Sequence, residues 1–166
     1  MRFRNSMQLL VTGGLCVAVL LSVSIPAGAA PGRYAAQPAM TGLLLSSAGV
    51  ESEAVELYRD DDISRALYIP DVRGNEVLIG FPGAGIRLAV PFLLVVNGEE
   101  FTVEVTSDKQ LDVLEGDPSL LPADVGDFVN CLVNNIVDLV KSIIEINIGG
   151  IIGNVLQLVV CIFAIL

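Results

Sequence analysis

The sequence contains no histidine and no tryptophan among its 166 residues. Histidine is the side chain whose ordinary pKa lies nearest to neutral pH, and it is the base of Ser-His-Asp and Cys-His catalytic sites. Its absence excludes those sites and every metal site built on imidazole ligands. No other group of side chains has the pattern of a catalytic, cofactor-binding or metal-binding site. The sequence therefore predicts a protein that is not an enzyme and has no cofactor.

Basic residues are also scarce. The chain has 9 Lys and Arg residues against 19 Asp and Glu residues, which gives a net charge of −10. Contacts with phosphates need Lys and Arg, so this balance argues against a nucleic-acid partner. It also argues against electrostatic docking on anionic lipid, and any attachment to a membrane would have to be driven by apolar burial.

Apolar residues make up 53% of the chain and are concentrated at its two ends. Residues 1–29 have the features of a secretory signal peptide, in which Arg2 and Arg4 precede an apolar run. Ala27 and Ala29 then supply an Ala-x-Ala cleavage pattern. The alternative is an uncleaved anchor helix. Export of this style suits a bacterial protein, and we expect a secreted or extracytoplasmic location, with association with the cell envelope as a further alternative.

The middle of the chain predicts a small sheet. Residues 30–47 are rich in Ala, Gly, Pro and Ser, which predicts a flexible lead-in to a single domain over residues 48–166. Between residues 63 and 112, short apolar runs alternate with turn signals, and this pattern predicts an antiparallel sheet of about four strands. Asn97-Gly98 predicts a hairpin with a type I′ turn. Pro91 indicates a bulge or an edge position. Residues 49–59 fit a helix and a strand about equally, and residues 109–124 are predicted to be a linker.

Residues 127–166 predict a pair of helices. Polar side chains recur every three or four residues from Asn130 to Glu145, as they do in an amphipathic helix. A break containing Gly149 and Gly150 follows, and residues 151–166 carry no charge. Two helices joined in this way form an αα-hairpin. The predicted fold class is therefore α+β, with the sheet followed by an apolar C-terminal helical hairpin.

The two cysteines outside the predicted signal peptide are Cys131 and Cys161. They lie about four turns before and three turns after the break, so an antiparallel hairpin brings them to nearly the same level. In an oxidising compartment this arrangement favours a disulfide bond. The alternative is a pair of buried free thiols.

The role of the hairpin remains open between three alternatives: a core element, a membrane-inserted element and a surface for self-association. The favoured hypothesis is an exported, non-catalytic structural or interaction protein of the cell surface or envelope, which uses the disulfide-closed apolar hairpin. The alternative is a secreted binding domain that holds an apolar ligand between sheet and hairpin. The predicted interaction surface consists of Phe128, Leu132, Ile136, Ile143, Ile151, Val155 and Val159.

Overall fold

The fold is an antiparallel sheet packed against helices. The computed structural model describes residues 37–59, 62–83 and 85–165. The predicted signal peptide, residues 1–29, and the first part of the predicted lead-in lie outside the described residues. The elements in chain order are α1 (Gln37–Ser47), β1 (Glu53–Arg59), β2 (Asp62–Val72), β3 (Asn75–Phe81), β4 (Phe92–Val96), β5 (Glu99–Val105), β6 (Leu111–Glu115), a 3₁₀ turn (Pro118–Leu120), α2 (Ala123–Ile144) and α3 (Ile148–Ile165).

The predicted α+β class is confirmed, but the sheet has six strands in the described residues rather than about four. The strands form a meander in which each pairs antiparallel with the next. β1 occupies residues whose pattern fitted a helix and a strand equally, and β6 lies in the stretch predicted to be a linker. Both are edge strands, and the charged side chains that protect an exposed edge also obscure the apolar alternation.

Two tight turns set the register of the central strands. Asn97 and Gly98 join β4 to β5 with φ angles of 51° and 87°, as the type I′ prediction requires. Arg73 and Gly74 join β2 to β3 with φ angles of 53° and 84°. The backbone N–H of Gly74 also donates to Oδ1 of Asp71 at 2.7 Å, which holds that turn closed.

Pro70 and Pro91, two of the prolines of the sheet region, lie where the ladder is interrupted or has not yet begun. Pro70 is inside β2, where the register with β3 shifts between Ile69 and Val72. Such a shift accommodates a residue that cannot donate a backbone hydrogen bond. Pro91 precedes β4, which begins at Phe92. The residues before Pro91, from Ile86 onwards, form no strand.

One hydrophobic core joins the sheet to the helices. Leu67, Ile79, Leu94 and Phe101 are register partners on successive strands, and each is at most 1% exposed. α1 contacts β1 and β2, α2 contacts β5 and β6, and α3 packs against α2 and α1. The core therefore lies on one face of the sheet. Its helical contributors include Leu44, Leu45, Val125, Phe128, Val129, Leu132, Val133, Ile136, Leu139, Val155, Leu158 and Ile162.

Helix α1 is part of this core, whereas the sequence predicts a flexible lead-in over residues 30–47. Met40, Leu44 and Leu45 are buried against the sheet. Gln37 is buried too, and its Oε1 accepts from the backbone N–H of Ile86 at 2.7 Å. Its Nε2 donates to the carbonyl of the same residue at 3.4 Å. The helix is thus fixed by a contact with a distant loop, which local composition does not reveal.

Candidate interaction surface

The C-terminal hairpin is closed at one end by its connection. The backbone N–H of Asn147 donates to the carbonyl of Ser142 at 2.9 Å, and Ile146 between them has a positive φ of 55°. This is the geometry of a left-handed residue that ends a helix. The Oδ1 of Asn147 then accepts from the N–H of Gly150 at 3.0 Å and satisfies an N-terminal donor of α3. The chain therefore reverses direction within three residues.

The hairpin is also closed along its length. Cys131 and Cys161 are joined by a disulfide bond, with their Cα atoms 6.3 Å apart. The Nδ2 of Asn154 donates to Oγ of Ser142 at 3.0 Å between the same two helices. A Cβ added to Gly150 would lie 2.7 Å from that oxygen, so the helices approach closely near the connection. These contacts fix which side of α3 faces α2.

The opposite side of α3 is an apolar row in contact with solvent. Its five large side chains are spaced by four, four, four and three residues, and their exposed fractions lie between 40% and 69%. α3 contains no charged residue at all. We call this row the α3 outer stripe, and it consists of Ile148, Ile152, Leu156, Val160 and Phe163.

Exposed isoleucines also occur at the connection between the two helices. Ile144 at the end of α2 is 42% exposed and Ile146 is 82% exposed. An Ile at a positive φ is a rare and costly choice, because its branched side chain crowds the backbone there. Glycine or asparagine is the ordinary residue at such a helix end. We call Ile144, Ile146 and Ile148 the isoleucine tip.

The structure does not place the predicted interaction surface at the molecular surface. Phe128, Leu132, Ile136 and Val155 are at most 2% exposed and belong to the core. The other three residues of that prediction are half-buried: Ile143, Ile151 and Val159. The prediction chose the side of each helix that packs inward, because an apolar arc by itself does not show whether it faces the core or the solvent. The exposed apolar residues lie on the other side of α3.

A sequence signal for the correct face was present in the cysteines. If Cys161 bonds to Cys131, it must lie on the side of α3 that faces α2. At 100° per residue, Ile152, Leu156 and Phe163 then lie roughly half a turn away from it. The disulfide therefore indicates how α3 is rotated about its axis, which the pattern of its apolar residues does not indicate.

A groove lies on the far side of α2 from α3. It has a volume of about 320 Å³ and separates α2 from the loop before β4. Leu88, Val137 and Val140 form part of its apolar wall, while Lys141 and Glu145 bring charges to it. Between the sheet and the hairpin, by contrast, large side chains such as Phe101 and Phe128 are at most 1% exposed.

The sheet face that points away from the helices is more polar. Tyr68, Leu78 and Val95 are register neighbours there and are half-buried. Partial burial of the Tyr68 phenol, together with the charge of Glu76 and a hydrogen bond to it, raises the pKa of Tyr68 above its ordinary value. Glu100 is paired with Val95 in the same ladder. Carboxylates therefore border the apolar residues of this face, whereas α3 itself has no charged side chain beside the α3 outer stripe.

In residues 37–59, 62–83 and 85–165, no group of three or more His, Cys, Asp or Glu side chains is placed to hold a metal ion. No helix in the same ranges combines the length and the apolar character that crossing a bilayer requires. Five of the exposed large apolar residues of the described chain lie together on α3, in the α3 outer stripe.

No protein-family model, no curated protein and no solved structure matches this chain. Likeness to other proteins thus assigns neither an activity nor a partner. Function has to be inferred from the residues of the surface and from the chemistry that would cover them.

Proposed function

We propose that this chain is an exported, non-catalytic interaction protein of the cell surface or envelope, and that it binds its partner through the α3 outer stripe. The observation that carries the proposal is the uncharged, solvent-exposed row on α3. The predicted signal peptide supplies the expectation of export. The disulfide between Cys131 and Cys161 suits an oxidising compartment and holds the row in place.

The exposed row is as large as the largest apolar patch of a typical monomer, and such patches are often functional. From their exposed fractions, the five side chains leave roughly 500 Å² of apolar area in water. The largest apolar patch on a typical monomer is about 300–600 Å² and is often functional. Covering this row would supply about 12 kcal/mol at 25 cal/mol per Å² on this chain's side of the contact. Association costs a similar order of free energy, so a contact of moderate affinity follows.

Cross-linking from the row tests the proposal in the exporting cell. A photo-reactive amino acid placed at Val160 should yield a discrete cross-linked product, while the same group at the exposed Asp127 on α2 should not. Leu156→Glu in the Val160 probe should abolish the product, because a carboxylate in the contact would be desolvated without a partner. An exported, folded probe that stays uncross-linked at Val160 would contradict the proposal.

A binding domain for an apolar ligand is the second candidate. The groove of about 320 Å³ beside α2 is the observation that favours it. A ligand held between sheet and hairpin, as the sequence-based alternative had it, would have to displace fully buried core side chains such as Phe101 and Phe128. A ligand in the groove beside α2 would not have to displace these side chains. Saturable quenching of a fluorescent fatty-acid analogue, lost in Val140→Trp, would support a ligand at the groove.

A further inference from the structure

We propose that the partner on the α3 outer stripe is a second copy of this chain, packed so that the two α3 helices run antiparallel across a two-fold axis near Leu156. The inference rests on the proposed function, since it names the partner of the same surface. It follows from three properties of the stripe: its lack of charge, the order of its side chains and its area.

The first property is the absence of charge. The chain has a net charge of −10, so two copies repel each other across most of their surfaces. No Asp, Glu, Lys or Arg occurs anywhere in α3. A contact through the α3 outer stripe therefore brings two acidic chains together without placing like charges opposite each other. A partner that recognised this chain by its acidic character would need no such uncharged surface.

The second property is the order of side chains around Leu156. In an antiparallel pair centred on this residue, positions equally far before and after it lie at the same level. Ile152, four residues before, is then level with Val160 of the other copy, four residues after. Gly149, seven residues before, is level with Phe163, seven residues after. The largest side chain of the stripe therefore meets a residue that has no side chain.

The glycines leave room for such a contact. A Cβ added to Gly153 would meet no atom within 4 Å, and one added to Gly149 would meet only Oδ1 of Asn147, at 3.7 Å. Both glycines are exposed beside the stripe. They form a shallow notch in which the ring of Phe163 can pack. In a parallel pair, Phe163 would instead face its own copy and the two notches would face each other empty.

The third property is the area. About 500 Å² from each copy gives about 1,000 Å² in total, which reaches the lower limit for specific protein–protein contacts. Ile148 is already included in this area, and the antiparallel arrangement places Ile144 and Ile146 at the outer ends of the pair, where they add nothing to it. The area therefore suffices for a specific, reversible contact.

Light scattering on the exported form with its native disulfide tests the dimer. Wild type should have twice the monomer mass at micromolar concentrations, and Leu156→Glu should have the monomer mass. Gln157→Glu is the matched control, because Gln157 is the next residue, is also exposed and lies beside the row. It should remain dimeric. Far-UV circular dichroism must show the same helix content in both variants. Monomeric wild type, or a Gln157→Glu variant that also dissociates, would overturn the inference.

Chemical cross-linking tests the antiparallel order. A short bis-maleimide reacts with engineered thiols, because Cys131 and Cys161 are bonded to each other. A mixture of Ile152→Cys and a larger, tagged Val160→Cys chain should form mixed dimers several-fold faster than either chain cross-links with itself. Faster self-cross-linking of each chain would mean a parallel pair and would overturn the proposed order.

The outcomes also separate this inference from the proposed function. If wild type is monomeric but the Val160 photo-probe yields a product with another protein, the second copy is excluded and the interaction function stands. If monomeric wild type binds vesicles of neutral phospholipid and Leu156→Glu does not, the partner is a lipid surface and the second copy is again excluded. A monomer with neither property contradicts both proposals.

Discussion

Removing the Cys131–Cys161 disulfide should lower the free energy of unfolding by a predictable amount. The bond joins residues separated by 30 positions in the sequence. In the chain-entropy model, closing a loop of this length restricts the unfolded chain and stabilises the folded state by about 3.5 kcal/mol, as an upper value. A domain of this size has about 5–15 kcal/mol of stability in total. The variant should therefore remain folded at room temperature but unfold much more readily.

Thermal and urea unfolding of Cys131→Ala/Cys161→Ala, followed by circular dichroism, measure the effect. The loss corresponds to a fall of roughly 10 °C in Tm for a chain of this length. The urea dependence of the free energy should become steeper, because an unfolded chain without the cross-link exposes more surface. Unfolding of reduced wild type separates the cross-link from the packing of the sulfur atoms, since reduction leaves both side chains in place.

The control is Cys131→Ala/Cys161→Ala, unfolded with and without reductant. Its two unfolding curves should agree. Two results would refute the reasoning. One is the titration of two free thiols in the folded, exported protein. The other is a loss below about 1 kcal/mol on reduction, which would mean that the hairpin persists in the unfolded state and that the bond closes no flexible loop.

Two backbone positions give further predictions. Gly116→Ala should destabilise the protein by about 2 kcal/mol in urea unfolding, because Gly116 has a φ of 104° and an added Cβ would lie 2.8 Å from the ring of Phe101. Gly83→Ala is its control and should change stability by less than about 1 kcal/mol, since nothing lies within 4 Å of a Cβ there. Ile146→Asn should stabilise by about 0.5–1 kcal/mol, because asparagine tolerates the positive φ and little buried area is lost at an 82% exposed position. Ile146→Val, which keeps the branched side chain, should leave stability unchanged, and an unstable Asn variant would contradict the strain argument.

The parts of the fold that the sequence predicts are those determined by local chemistry. The turn at Asn97-Gly98 needs two residues that tolerate positive φ, and these residue types indicate it directly. The amphipathic pattern of α2 is similarly local, since its polar side chains recur on one side of the helix. Both elements lie where the sequence places them. No contact with residues that are distant in the sequence is needed to predict either element.

The elements that the sequence misses depend on distant contacts. α1 is composed of small and apolar residues, and its place in the fold depends on the hydrogen bonds between Gln37 and Ile86, which are 49 positions apart. β1 and β6 are strands because β2 and β5 offer them a free edge to pair with. β6 has five residues and β1 has seven, and acidic residues are interspersed with apolar ones in both. A sequence of this kind does not distinguish an edge strand from a loop.

The side of α3 that faces solvent was predicted wrongly for a different reason. α3 is apolar on nearly all sides, so its hydrophobic pattern contains no information about its rotation. The prediction therefore placed Val155 and Ile151 at the surface, whereas Val155 is buried and Ile151 half-buried. Only a tertiary constraint can set the rotation, and the bond to Cys131 is one that the sequence itself suggests.

The same constraint connects the stability of the hairpin to its proposed role. In the described structure, α3 buries one side, through Val155, Leu158 and Ile162. The turn at Asn147 ties its first residues and the disulfide at Cys161 ties its last turns. A helix held at both ends keeps its outer side chains in one orientation. Little conformational entropy is then lost when a partner covers them, and the free energy of apolar burial is available for binding. Under the proposed function, the disulfide would therefore also help to keep the α3 outer stripe in position for its partner.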